Sequence, residues 1–380
     1  MAVGQAILQF GTSRFLQAHV DLFVSQAQER GDAGQALGGI TVVQTTANPA
    51  SAERVAAFAR GDGYPVRIRG LRHGERVDDT LTCRAVRQAL RADVDWPKVR
   101  ELMAGEVRVV VSNTADRGYQ PDPRDGPALI AHPAQVPRGF PAKLLVLLHH
   151  RWLTRPAADL SLFPCELIER NGEVLRDLVF EMAKRWGLDP GFIDWLREHC
   201  VWANSLVDRI VSEALHPIGA VAEPYALWAV ERQPGLVLPC VHEDILLTDD
   251  LAHHERLKLF LLNAGHTFLA ERWRVDGRAD GETVAQAMND AALRAELEGM
   301  WTDEVLPVFE ELGHRAAAEA YLADLRERLL NPFLSHRIAD IAQNHPQKKL
   351  RRLAPIAALA EQLRCAHAQP RLRAALANAE

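Results

Sequence analysis

Three polar residues stand in an otherwise apolar stretch: Lys258, Asn263 and His266 within Lys258-Leu259-Phe260-Leu261-Leu262-Asn263-Ala264-Gly265-His266. At helical pitch the apolar residues surround the segment on nearly every side, so a helix here is expected to be buried. Stepping about 100° per residue, the three polar side chains fall near 0°, 140° and 80°, within one broad arc. A lysine withdrawn from water loses preference for its charged form, which suits it to moving a proton near neutral pH. An Asn amide can polarise a carbonyl, and a His can bond a substrate hydroxyl. The same residues also fit a Lys at a helix edge whose head reaches water, with Asn and His satisfied in the core.

A second candidate is the turn Phe10-Gly11-Thr12-Ser13-Arg14-Phe15, which follows the short apolar run 6–10 (AILQF). A strand that ends in Gly and feeds a helix lets backbone N–H groups approach a phosphate. Gly11 is the single glycine where the dinucleotide fingerprint has three, and Ser13 stands at the second position. The β-branched run 39–45 (GITVVQT) supplies no acidic residue for an adenosine ribose. Gln44, Thr45 and Asn48 are the polar groups on offer, so NAD and NADP both remain open. The run 107–111 (VRVVV) ends in Ser112-Asn113-Thr114, small polar groups placed either for a nicotinamide ribose or as a capped loop.

These sites need elements to hold them. Near-continuous apolar strands alternating with helical stretches indicate βαβ units around a buried parallel sheet, with a further strand at 161–168 (SLFPCELI). Residues 119–140, rich in Pro, Asp and Gly, form an excursion. From about residue 191 helical periodicity dominates, over 192–200, 251–274, 283–311, 316–330, 338–343 and 354–376. The expected architecture is an α/β Rossmann-type domain over 1–205 and a mostly α-helical domain over 206–380.

Composition bounds the partners. With 380 residues, 48% hydrophobic, 25% charged and a net charge of −6, the chain lacks the basic surface that nucleic acid requires. The five cysteines are dispersed, without metal-ligand spacing, as expected of free thiols in a reducing compartment. The apolar run starting at Lys143 and ending at Leu148 is far too short for a membrane span. The early first strand leaves no room for a secretory signal, so a cytoplasmic, membrane-free protein is expected.

Taken together these segments resemble the long-chain polyol dehydrogenase family, which includes mannitol dehydrogenases and hexuronate reductases. Its K-x4-N-x2-H hallmark stands here as Lys258, Asn263 and His266. Residues 8–19, 112–114, 164–172, 206–211, 331–332 and 348–352 match it in order, over nearly the whole chain. The wording is most similar to the tagaturonate reductase (altronate oxidoreductase) branch. The resemblance implies metal-independent hydride transfer with NAD, NADP not being excluded, on a small anionic sugar acid or polyol. It further implies that Lys258 exchanges the proton, that Asn171 and Asn263 hold the reacting oxygen, and that His266 positions a neighbouring hydroxyl. Asp208 is a candidate for orienting substrate or tuning the lysine, or else a structural partner of Arg209. Arg328, Lys348 and Arg352 are candidates for a substrate carboxylate, Lys348 and Arg352 being equally readable as a solvated helix end. Arg14, Gln17 and Ser13 depart from the family's phosphate turn. Dehydrogenation of a neutral polyol or another hexuronate is the alternative, with a catalytically silent cofactor-binding sensor as a third.

Overall fold

The β-branched runs of the first half become strands that lie side by side. A computed structural model of the chain describes residues 6–31, 35–114 and 116–377. The strands are β1 (Ile7–Phe10), β2 (Ile40–Gln44), β3 (Tyr64–Arg72), β4 (Glu75–Cys83), β5 (Val86–Arg91), β6 (Val109–Ser112) and β7 (Leu160–Pro164). They continue with β8 (Cys200–Trp202), β9 (Ser205–Asp208), β10 (Val211–Ala214), β11 (Ala220–Ala222), β12 (Leu227–Glu231) and β13 (Ile245–Thr248). By contacts the chain divides into two units, 1–67 with 80–222 and 226–251, and 68–79 with 223–225 and 252–380.

In the first unit six strands pair in the order β5-β2-β1-β6-β7-β8, all parallel. This is the doubly wound order, in which the chain reverses direction across the sheet between β1 and β6. Helices cover the sheet, so β1, β2, β6 and β7 are buried at every residue, which is why they read as unbroken apolar runs. One core cluster packs Leu8, Phe10 and Val110 with Leu144, Leu145 and Leu148 of the helix Phe140–Thr154. The turn after β1 feeds two helices, Arg14–Gln17 and Val20–Glu29, separated at Ala18 and His19.

The division falls at Leu251, whereas the change of periodicity placed it at 205. Residues 205–248 carry β9 to β13, strands of three to five residues. Runs that short are easily lost beside helical periodicity. They form a sheet β13-β12-β9 and, with the β3–β4 hairpin, a sheet β10-β11-β3-β4.

The second unit is largely helical beyond residue 251. Leu251–Leu257, a π-helical turn Lys258–Asn263 and Ala264–Val275 run on without interruption. A second π-helical turn, Met300–Val305, lies between the helices Ala291–Gly299 and Leu306–Glu311. Phe260, Leu261, Phe268, Trp301, Phe309 and Leu325 belong to its core. Among the described residues no helix is long and apolar enough to cross a membrane.

Candidate active site

In the first unit, the turn after β1 is pressed against the end of β6. Gly11 has φ +122°, and a Cβ there would lie 2.6 Å from the Asn113 carbonyl oxygen. Only glycine fits so close an approach of two backbones, which explains the one glycine retained in the fingerprint. Ser13 caps the helix Arg14–Gln17 by accepting from the Leu16 N–H at 3.2 Å. Its hydroxyl also donates to Asn113 Oδ1 at 3.2 Å, while Asn113 Nδ2 donates to the Cys165 carbonyl at 2.7 Å. The ends of β1, β6 and β7 are thus joined by side chains at the switch point. Thr12 offers its carbonyl to Gln17 Nε2 at 3.2 Å and to Arg54 Nη1 at 3.3 Å. Arg14 is exposed, and Phe15 packs on His19 with ring centroids 4.7 Å apart.

Ser112 and Thr114 are less available than their sequence suggests. The Ser112 hydroxyl donates to Glu166 at 3.1 Å. The Thr114 hydroxyl and N–H donate to the same carboxylate at 3.0 and 2.9 Å. Tyr119 adds its phenol at 3.2 Å. Glu166 is buried, and burial pushes its pKa up against the pull of these donors. Both hydroxyls thus hold Glu166, a residue the sequence did not single out. At the end of β2, Gln44 Nε2 closes its own turn on the carbonyls of Thr46 and Asn48 at 2.6 and 3.3 Å. A cavity of about 570 Å³ opens there, lined by Thr45, Thr46, Thr114, Arg138 and Lys143.

Asn171 starts the helix Asn171–Arg185 and is 1% exposed. Its Nδ2 donates to the carbonyls of Pro164, Glu166 and Ser205 at 3.0, 3.1 and 2.9 Å. Its Oδ1 accepts from the Ser205 N–H at 3.0 Å. Both ends of this amide, expected to hold a substrate oxygen, are engaged by backbone. Asp208 is buried at the end of β9, and Arg209 donates to the Ala18 carbonyl at 2.6 Å.

In the second unit the lysine segment departs from α-helical register. Over Lys258–Asn263 the backbone bonds reach five residues, as in Ala264 N–H to Leu259 O. Residues five apart then lie more nearly over one another than the 140° offset expected of an α-helix. The π turn therefore narrows the arc between Lys258 and Asn263. Both are half-buried, less enclosed than expected, whereas His266 is buried, edge-on to His336 at 5.0 Å. The Asn263 carbonyl accepts from the Thr267 hydroxyl at 2.8 Å, and its carboxamide has no hydrogen bond to the described residues.

The turn is held from outside its own chain segment. Trp301, on the second π turn, donates its indole N–H to the Leu261 carbonyl at 3.1 Å. A Cβ on Gly265 would come within 2.6 Å of the Trp301 ring. Sequence periodicity carried no sign of this pairing.

The three expected carboxylate-binding cations separate. Arg328 is 4% exposed, and its Nε and Nη2 fork onto Glu223 at 2.9 to 3.2 Å. Its Nη1 faces the Tyr321 hydroxyl at 3.4 Å, and Tyr225 stacks at 4.1 Å. Arg328, expected to meet a substrate carboxylate, is thus buried and paired with a carboxylate of the chain itself. Lys348 donates to the Ile341 carbonyl at 2.7 Å. Arg352 is half-buried, its guanidinium without a hydrogen bond to the described residues. Burial holds Arg352 below the usual guanidinium pKa. Its helix, His345–Arg352, packs against the π turn of Lys258.

Comparison with known proteins places these features in a family context. Residues 5–236 match the Mannitol dehydrogenase Rossmann domain, and residues 250–378 the Mannitol dehydrogenase C-terminal domain. The altronate oxidoreductase of Klebsiella pneumoniae (strain 342) is 32% identical over 98% of this chain and 78% of its own length. That of Bacillus subtilis (strain 168) is 30% identical over 94% of this chain and 76% of its own. Among solved structures, a substrate-free D-sorbitol dehydrogenase is 19% identical and covers 100% of this chain and 81% of its own, with a TM-score of 0.80. The Pseudomonas fluorescens mannitol 2-dehydrogenase ternary complex with NAD and D-mannitol is 18% identical, covers 99% and 79%, and has a TM-score of 0.74.

Proposed function

The chain belongs to the mannitol dehydrogenase family, and from that premise we propose that it is an NAD(H)-dependent oxidoreductase interconverting a keto-hexuronate and its alcohol, of the tagaturonate and altronate kind. The relatives of about 30% identity carry the name altronate oxidoreductase. The observation that carries the assignment is the π turn, which draws Lys258 and the uncommitted Asn263 carboxamide toward one face.

The Gly11 cradle fits a dinucleotide, since a side chain there would fill the space between the β1 turn and Asn113. Gly11, Thr12, Ser13, Arg14 and Phe15 would hold the pyrophosphate portion, with Gln44, Thr45 and Asn113 toward the riboses. When bound, NAD supplies the acceptor or donor of the hydride. Lys258 gives a proton to the substrate oxygen on reduction and removes it on oxidation. The Asn263 amide donates to that oxygen as negative charge develops. His266 positions the adjacent hydroxyl, and Arg352, one helix away from Lys258, takes the carboxylate.

The test is NADH oxidation with a panel of keto-hexuronates, mannitol oxidation being run alongside. Turnover of a hexuronate that is lost in Lys258→Ala, with NADH affinity kept, is the expected result. The engagement of Arg328 by Glu223 removes one cation and favours, as second reading, a neutral polyol substrate. Arg352→Ala separates the two, raising KM for a sugar acid and leaving a polyol unaffected.

A further inference from the structure

The cavity at the end of β2 contains a buried cation that the hydride-transfer reaction does not use. Lys143 lies in the first turn of the helix Phe140–Thr154 and is 3% exposed. Its ammonium donates to the Arg138 carbonyl at 2.7 Å, its one hydrogen bond to the described residues. Two of its three N–H donors therefore remain for the cavity that it lines. Burial lowers its pKa to about 8, which leaves it mostly charged at neutral pH. Asp125, Asp122 and Asp93 act on the ammonium through space, Asp93 being itself held by Arg91, but none is hydrogen-bonded to it, so its free donors gain from an anion that joins them.

The lining is cationic on balance. Arg124, Arg138 and Lys143 face one carboxylate, Asp122. Asp122 is itself gripped by Arg124, whose hydrogen bonds hold its carboxyl well below the usual range. Asp125 is turned to the backbone, accepting from the N–H groups of Arg138 and Gly139 at 2.8 Å each. The same cavity is lined by Thr45 and Thr46, immediately after β2. In a doubly wound sheet this is where the adenosine ribose is read, by a carboxylate for a free 2′-hydroxyl or by a cation for a 2′-phosphate. Gln44-Thr45-Thr46 provides no carboxylate.

We propose that Lys143, assisted by Arg138 and the Thr45 and Thr46 hydroxyls, binds the 2′-phosphate of NADP(H), so that the chain accepts the phosphorylated cofactor at least as well as NAD(H). The inference rests on the dinucleotide reading of the first unit and extends it to which dinucleotide is preferred. A phosphate dianion there accepts the two remaining Lys143 donors and neutralises the lining. A bare ribose hydroxyl does neither.

The test is direct titration of the full chain with NADPH and with NADH, followed by fluorescence or calorimetry. Expected is an NADPH Kd equal to or below that of NADH, weakening steeply with salt. Lys143→Met, close in shape, should weaken NADPH by about tenfold or more and change NADH by no more than about twofold, one charged hydrogen bond's worth. Lys143→Arg should restore most of the loss. Thr45→Asp should reverse the preference. NADH binding with NADPH a hundredfold weaker would overturn the proposal and leave the oxidoreductase reading intact. An equal loss of both cofactors in Lys143→Met would overturn it too, assigning the lysine to a part they share. If neither cofactor binds the wild-type chain, the dinucleotide reading itself falls and the proposal with it.

Discussion

The indole N–H of Trp301 donates to the Leu261 carbonyl at 3.1 Å, so one π-helical turn is braced by a residue on another. A π turn leaves its backbone out of α register and persists only when its surroundings favour it. Trp301 supplies a donor for the carbonyl and, through its ring, the wall against Gly265. Trp301→Phe keeps most of the ring and removes the donor. The expected cost is about 0.5–1.5 kcal/mol, the loss of one hydrogen bond, since the Leu261 carbonyl keeps the Ala264 N–H. If the turn relaxes toward α register, Lys258 and Asn263 swing apart and kcat falls more than KM rises. Urea unfolding and steady-state kinetics on one preparation check both outcomes.

Arg328 gives a contrasting prediction, because burial has made a candidate ligand into a structural ion. Its fork meets Glu223, which is as deeply buried. Arg328→Met takes the guanidinium fork away from that buried carboxylate and should destabilise the chain by about 3–5 kcal/mol. Arg328→Met combined with Glu223→Met should recover much of the loss, since no charge is then left alone. A substrate-binding arginine would behave otherwise, with stability kept and KM for the sugar acid raised. Thermal melts of the single and double variants decide it.

Asn171 should also act on stability. It joins the end of β7, the following loop and the start of β9 through four backbone hydrogen bonds. Asn171→Ala should cost about 1–3 kcal/mol. Asn171→Asp should cost more, because it sets an acceptor against three carbonyls. An Asp variant as stable as wild type in denaturant titrations would contradict this arrangement.

Much of the frame was legible because the parallel sheet is buried on both faces. The runs ending at Phe10, Gln44 and Ser112 needed no partner to be recognised as strands, and Gly11 marked the turn. The lysine segment was found by its three polar residues in apolar surroundings. Its register was not, since a π turn and an α turn share one apolar pattern. Arg328, Asn171 and Ser112 looked like ligands because residue type reports what a group can bond. Whether Glu223, backbone or Glu166 already holds it is decided by folding. Lys143 had a visible signal: a lysine heading the apolar run to Leu148. By sequence alone that run reads only as too short for a membrane span.

Burial of Asp21 makes stability depend on pH in an unusual sense. The carboxyl is fully buried, and desolvation raises its pKa from 3.8 to about 7, against the pull of the Tyr64 hydrogen bond. The Tyr64 hydroxyl donates to it at 2.7 Å. Between those two values the folded chain holds a proton that the unfolded chain has lost. Stability contributed by this group is therefore fully present below about pH 4 and declines as pH rises through about 7. The full swing is on the order of 4 kcal/mol. It runs opposite to the acid destabilisation of exposed, ion-paired carboxylates. Asp21→Asn mimics the protonated form, so it should be near neutral at pH 4 and stabilising by a few kcal/mol at pH 8. Denaturant midpoints of both proteins from pH 4 to 8 measure this directly. Parallel pH profiles for the variant and wild type would mean that Asp21 is ionised in the folded chain.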